Sequence, residues 1–264
     1  MSNGPSITRV RHETKRRRLT VVRTERLTPT MLRIVFGGEE LEQFTSLGFD
    51  DHVKLFFTAS AGTSEVQSSE NSAAPPMRDF TPRRFDAGAR ELWIDFYLHA
   101  EGPAATWALQ AAVGQSLAIG GPRGSFVIST EGIDSHVLIG DETALPAIGR
   151  RLEELPAGSR ALVVFESDGG AMDYPFVSPA ALELVHVSRG AHSEPAANEI
   201  IATLRKLQFP PGQCFTWVAT ESQSARAIRR YLTDERGLDK HWIKAAGYWQ
   251  RGSTGAHDTI QDGD

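Results

Sequence analysis

The sequence predicts two domains: a small antiparallel β-barrel of about six strands over residues 19–130, then an α/β domain on a parallel sheet over residues 131–252. Three observations carry this. From Leu19 to about Ile128 short runs rich in Val, Ile, Phe and Thr alternate apolar with polar residues between turn signals, as half-buried antiparallel strands do. After Ser135 the rhythm changes to strand, helix, strand, with helices long enough to cross over a parallel sheet. The change falls between about Ser129 and Ser135, which sets the boundary.

The barrel strands read as "LTVVRTERLT", "MLRIVFGG", "HVKLFFTA", "ELWIDFYLHA", "SLAIGGP" and "SFVIS". One helix interrupts them, "GPAATWALQAAVG", with Pro103 suited to a first helical turn and Gly114 to its end. The stretch "SAGTSEVQSSENSAAPP", residues 60–76, reads as a polar insertion. In the second half the strands "HVLIGD", "RALVVFES", "LELVHVSRG" and "CFTWVATES" alternate with helices over "LPAIGRRLEEL", "AANEIIATLRKLQF" and "SQSARAIRRYLTDERG". The ends read as a flexible basic arm, residues 1–18 around "RVRHETKRRR", and a flexible polar tail, residues 253–264.

Composition narrows the function classes. A hydrophobic share of 40% with 23% charged residues is that of a globular protein, and a net charge of -5 argues against general nucleic-acid binding. A lone cysteine, Cys214, excludes an internal disulfide and a cysteine-ligated cluster, and fits a reducing compartment. No apolar run approaches a membrane span and no secretory signal opens the chain, so the expectation is a cytoplasmic protein. The histidines lack metal-ligand spacing, so no metal site is expected.

Several stretches point to anion and ring binding. "MRDFTPRRFD" gathers Arg78, Arg83 and Arg84 around Phe80 and Thr81 in an acidic protein. Planar guanidinium forks suit a pyrophosphate, while Phe80 can pack on a flat ring system and Thr81 can bond a ring nitrogen. The plainer alternative is a strand with exposed arginines. "HAEGPAATWA" follows a strand with a Gly-Pro turn and a helix start, whose free amides form an anion site beside His99 and Thr106. "GGPRGSF" offers Arg123 as a further phosphate contact or a solvent-facing turn residue. "IGDETALPAI" occupies the crevice after the first parallel strand, yet it lacks the G-x-G-x-x-G fingerprint and places Asp141, Glu142 and Thr143 there. Glu166 and Asp168 end the second strand and favour a ribose 2′-hydroxyl; Arg189 ends the third and favours a 2′-phosphate. NADH and NADPH both stay open on these cues.

Taken in order, "RDFTPRRFD", "IDFYLHAEGPAATWA", "GGPRGSF", "GDETALPAI", "TWVATES" and "AAGYWQRG" resemble the siderophore-interacting protein family of ferric-siderophore reductases, a branch of the ferredoxin-reductase-like two-domain flavoproteins. The resemblance spans nearly all of the chain beyond residue 18. It implies an antiparallel FAD-binding barrel and a Rossmann-like NAD(P)H-binding domain, with electrons passing from NAD(P)H, or alternatively from ferredoxin, through FAD to a ferric siderophore. It implies that Arg78, Phe80 and Thr81 take the place of an Arg-x-Tyr-Thr flavin motif, Phe80 replacing tyrosine and Thr81 lying near the flavin N5, with Arg83 as the trailing arginine. Gly102, Pro103, Ala104, Ala105, Thr106 and Trp107 with His99 match the segment that carries the FAD pyrophosphate, with Ala105 where serine is usual. Arg123, Gly124, Ser125, Asp141, Glu142, Thr143, Arg189, Glu221 and Trp249 complete the implied cofactor contacts. Lys54, Lys244 and Arg251 form the implied basic rim for an anionic siderophore, with Gln250 where the family has arginine. A monomer is expected.

Overall fold

A computed structural model describes residues 5–57, 75–98, 102–189, 197–253 and 258–260. The first half holds β1 (Ile7–Arg11), β2 (Arg16–Thr28), β3 (Met31–Gly37), β4 (Val53–Phe56), β5 (Met77–Phe80), β6 (Arg84–Asp86), β7 (Glu91–Tyr97), α1 (Pro103–Gln110), β8 (Ser116–Gly120) and β9 (Gly124–Ile128). Seven of these strands form one antiparallel sheet in the order β5-β4-β8-β2-β3-β7-β6. The edge strands β5 and β6 are joined only by residues 81–83, a span of roughly 10 Å at most, so the sheet curls until its edges meet. Alternate residues point inward: Leu19, Val21, Ile34, Phe36, Leu55, Ile94 and Phe96 are all fully buried. Trp107 of α1 closes one end, its ring 6.0 Å from Phe36 and from Phe57 and 6.1 Å from Phe96.

Two expectations change here. The barrel sheet has seven strands rather than about six, because β5 and β6 are too short to show a period of two. The "SFVIS" strand, β9, leaves that sheet and pairs with β1 from Ile7↔Ile128 to Arg11↔Gly124. The basic arm over residues 1–18 is therefore strand at 7–11 and again from Arg16. Ile7, Thr8 and Val10 supply the β-branched pattern that the charge run concealed, and the Arg9 guanidinium packs 4.8 Å from the Phe126 ring centroid.

The second half holds β10 (Ser135–Asp141), α2 (Leu145–Glu154), β11 (Arg160–Ser167), β12 (Ala181–Ser188), α3 (Ala197–Lys206), β13 (Cys214–Glu221), α4 (Ser222–Arg230), β14 (Ile243–Trp249) and β15 (Asp258–Ile260). Strands β12-β11-β10-β13-β14 run parallel and β15 adds antiparallel to the edge. Every residue of β10 is buried, as expected of a central strand covered on both faces. β15 corrects the view of residues 253–264 as a wholly flexible tail: Ile260 is buried against the sheet and pairs with Ala245. Because β11 and β13 leave β10 in opposite directions, a crevice opens at its carboxyl end.

A buried polar chain joins the domains. Arg33 donates two hydrogen bonds to Asp95 at 2.7 and 2.8 Å, and the Tyr174 hydroxyl donates to the same carboxylate at 2.5 Å. Arg83 donates to the Tyr174 oxygen at 3.3 Å and forks onto Glu153 of α2 at 3.0 and 2.5 Å. Arg150 of α2 reaches back to the Ser46 hydroxyl, the Ser46 carbonyl and the Pro82 carbonyl at 2.8, 2.9 and 3.0 Å. Asp50 accepts from Trp217 at 3.2 Å and pairs with Lys244 at 2.6 Å. Met31 and Phe49 of the barrel half complete the hydrophobic cluster under α2.

Burial raises the Tyr174 hydroxyl pKa well above its ordinary value, so it stays a donor to Asp95. Tyr174→Phe removes that donor and the acceptor of Arg83, and should cost about 1–3 kcal/mol in urea unfolding. His136 is fully buried on β10, and burial pushes its imidazole down to about 3. The unfolded chain takes up this proton near pH 6.5, so the stability that neutral His136 contributes is complete above that pH. It is lost as pH falls toward 3, by about 1.4 kcal/mol per unit, and His136→Phe should flatten the unfolding midpoint against pH in that window.

Candidate functional site

On the barrel side the site begins at β5. Alternation puts Arg78 and Phe80 on the face opposite Asp79, in register with Leu55 and Val53. The Phe80 ring packs 4.5 Å from Phe96 and 6.4 Å from Phe57, so the aromatic cluster fixes it and leaves one part uncovered. Among the described residues, Arg78 makes one hydrogen bond, from Nη1 to the Met77 carbonyl at 2.8 Å, which leaves most of its fork unspent. Thr81, buried at the end of β5, lies beside the Tyr248 side chain of β14. That contact brings the barrel's candidate ring-binding stretch against the carboxyl end of the parallel sheet.

Helix α1 starts beside the same cluster, since Ala104 and Phe80 both border the barrel core. Gly102 holds φ 134°, a left-handed value that a side chain resists, and Pro103 follows at the first helical position. Among the described residues no side chain caps this end, and the amides of Ala104 and Ala105 have no intrahelical partner. Uncapped amides and an unspent arginine fork beside a part-covered aromatic ring fit the phosphates and ring of FAD. Thr106 is exposed on α1, and His99 lies outside the described residues.

Other expected contacts serve the fold. Arg83 spends its donors on Glu153 and Tyr174, because a guanidinium this buried needs a carboxylate. Trp107 is barrel core. The Ser125 hydroxyl sits among Asp51 at 2.5 Å, His12 at 2.7 Å and the Leu47 amide at 3.0 Å, with no capacity left for a ligand. At Gly124 a Cβ would lie 2.6 Å from the Val10 carbonyl oxygen, so β1 sets this glycine. Arg123 is exposed in the turn before β9.

In the crevice of the α/β domain, Asp141 is saturated. It accepts from the Thr143 amide at 2.9 Å, the Thr143 hydroxyl at 2.5 Å, the Thr220 hydroxyl at 2.9 Å and the Trp249 indole at 2.7 Å. Thr143 thus turns its hydroxyl inward, and Trp249 is held at the mouth of the crevice. Gly140 stands where a Cβ would meet Ala144 at 2.5 Å, so the start of α2 packs directly on β10 without a glycine-rich loop. Glu221 caps α4 through the amides of Gln223 and Ser224 at 2.8 and 3.0 Å. Glu142 and Glu166 are buried, and burial raises both carboxyl pKa values. Arg189 offsets them, pairing with Glu142 at 2.6 Å and Glu166 at 3.1 Å. Asp168 is exposed beyond them.

The basic rim is divided. Lys54 pairs across the strands with Asp79 at 2.8 Å and stays a third exposed. Lys244 leaves the rim for Asp50, packed 4.4 Å from the Phe126 ring centroid, because its position faces the domain junction. Arg251 is exposed in the turn after β14. Sequence reasoning missed Tyr248, Tyr174, Asp95 and Glu153, whose roles depend on partners distant in the chain.

Comparison with known proteins supports the assembly. Residues 20–126 match the siderophore-interacting FAD-binding domain and residues 133–252 the siderophore-interacting protein domain. The chain is 36% identical over 261 residues to the NADPH-dependent ferric-chelate reductase of Escherichia coli, covering 94% of this chain and 99% of that one. The crystal structure of a siderophore utilization protein from T. fusca superposes with TM-score 0.84 at 35% identity, over 95% of this chain and 98% of the other. The fold is also that of the ferredoxin reductase of carbazole 1,9a-dioxygenase, with TM-score 0.59 at 16% identity, over 87% and 64% of the two chains.

Arg189→Leu should strand two buried carboxylates and cost about 3–5 kcal/mol of stability at pH 7. Their raised pKa values set the sign: protonation relieves the defect, so the gap to wild type in urea unfolding should narrow as pH falls toward 5.

Proposed function

We propose a function from one premise: the chain belongs to the siderophore-interacting protein family. It is an FAD-dependent reductase that passes electrons from a nicotinamide dinucleotide to the iron of a ferric siderophore, which releases the metal from its chelator. One observation carries the reading. The Thr81–Tyr248 contact sets the flavin-binding stretch of β5 against the carboxyl end of β14, where Trp249 borders the nucleotide crevice. FAD held by these residues would supply the conversion of a two-electron donor's reducing power into the single electrons that ferric iron requires.

The residues divide the work by what they have left to give. Arg78 and the amides of Ala104 and Ala105 hold the pyrophosphate, joined by Thr106. Phe80 holds the ring by dispersion alone, since it lacks the hydroxyl of a tyrosine. Thr81 orients the ring edge near N5 and Trp249 shields it from water. Lys54 attracts the anionic iron complex. NADPH is the donor we favour: Arg189 ends β12 as a reader of the 2′-phosphate, which must displace Glu142 or Glu166 from its fork. No helix among the described residues is long and apolar enough to cross a membrane. The lone cysteine supports action in a reducing cytoplasm, and one chain supplies both halves of the site, which supports a monomer.

The test is flavin retention followed by turnover. Arg78→Ala should weaken FAD binding about tenfold or more, read as lost yellow colour after gel filtration. Lys54→Ala should keep its flavin and raise KM for ferric siderophore. Full FAD occupancy in Arg78→Ala would remove this assignment. Failure of both NADPH and NADH to bleach the flavin anaerobically would remove the nicotinamide donor.

A further inference from the structure

Strand register brings a second cation beside Lys54. Arg16 of β2 and Lys54 of β4 both pair with Gly120 of β8, one from each side, so Arg16, Gly120, Lys54 and Asp79 form one row across four strands. Alternation turns this row to the outer face, because the next row holds the buried Leu55, Ile119 and Arg17. Gly120 leaves a gap between the two cations, and the Phe56 ring leans into it: a Cβ on Gly120 would lie 3.1 Å from that ring. The Arg16 guanidinium lies 4.3 Å from the centre of the same ring. Stacking fixes the plane of the fork while leaving its edge outward. Among the described residues no carboxylate forms an ion pair with Arg16 or with Arg18, the next outward-facing position of β2, although Glu40 accepts from the Arg18 amide at 2.9 Å; Lys54 is paired with Asp79 through two hydrogen bonds at 2.8 and 3.0 Å. The face therefore carries an excess of positive charge on an otherwise acidic protein. It lies on the back of the two strands, β4 and β5, that carry the flavin-binding stretch.

We propose that Arg16, stacked on Phe56, is a substrate-binding and specificity-determining residue that selects anionic iron chelates over neutral ones. The proposal rests on the reductase reading above. Lys54 turns from Asp79 to supply a charge to the same ligand, while Arg16 supplies an oriented fork for chelator oxygens and Phe56 a flat apolar surface for an aromatic arm. The site takes over the role expected of Lys244, which the domain junction consumes.

Reduction by the FAD-loaded protein is to be compared for a trianionic ferric tricatecholate and a neutral ferric trihydroxamate. Binding of the redox-inert gallium tricatecholate is followed separately by tryptophan quenching. Arg16→Ala should raise KM for the tricatecholate roughly fivefold, with kcat, flavin content and trihydroxamate KM unchanged. The gallium complex should weaken by a similar factor, and Arg16→Lys should restore only part of the loss. Arg160→Ala removes the same charge at the far end of β11 and should change none of these. An unchanged tricatecholate KM in Arg16→Ala, an equal rise for both chelates, or an equal effect of Arg160→Ala overturns the proposal. If wild type reduces neither chelate, the reductase reading falls, and the gallium titration still decides for or against Arg16.

Discussion

The hydrogen bond from Tyr174 to Asp95 is the contact on which the relation of the two domains depends. Asp95 lies on a barrel strand and is already paired with Arg33; Tyr174 comes from the α/β half and also accepts from Arg83, whose fork is closed by Glu153. Two cations and two anions are thus balanced across the junction, with one neutral hydroxyl between them. Buried charges tolerate little displacement, because a group that loses its partner cannot recover hydration. The chain of contacts acts as a register for the whole interface. Asp50 against Lys244 and Trp217 fixes a second point, and Thr81 against Tyr248 then follows.

That rigidity separates two classes of polar residue. Ser125, Thr143, Glu221 and Arg83 have side-chain atoms satisfied by the protein, and each holds an element in place. Among the described residues, Arg78 and the first amides of α1 have donors left over. Native proteins leave few such groups without partners, so the remainder is informative in a way that residue type alone is not. On the barrel the remainder suits a phosphate, while in the neighbouring crevice Glu142 and Glu166 share the single Arg189 fork, with Glu166 Oε1 left without a partner among the described residues.

The order of barrel and α/β domain was legible because it rests on local periodicity, a property of contiguous residues. Strand β1 was not, because arginines at alternate positions of "RVRHETKRRR" read as a solvated charge run until Ile7, Thr8 and Val10 are seen against β9. β5 and β6, of four and three residues, fall below any periodic window. For the site, residue type announced Arg78, Phe80 and Thr81 but could not say which arginine of the same stretch was committed elsewhere. The Arg83–Glu153 pair spans 70 positions and Ser125–Asp51 spans 74; neither partner marks itself in the sequence.

Charge follows the same division. A net charge of -5 repels an anionic substrate at long range, and screening confines that repulsion to about 8–10 Å at physiological salt. Local arrangement therefore outweighs the total within a Debye length. On the outer barrel face Arg16, Arg18 and Lys54 stand with two nearby carboxylates, Asp79 and Glu40, whereas the acids of the crevice are buried against Arg189. An anionic iron complex and an anionic nucleotide thus meet different surfaces. On the reading proposed above, the complex would meet the exposed Arg16 beside a Lys54 that must first leave Asp79. On the same reading the nucleotide would meet an Arg189 already engaged by Glu142 and Glu166, and one of those pairs would have to open. On the proposed reading each ligand therefore displaces a carboxylate, and the cost is larger at Arg189, whose two partners are buried, than at the part-exposed Lys54–Asp79 pair.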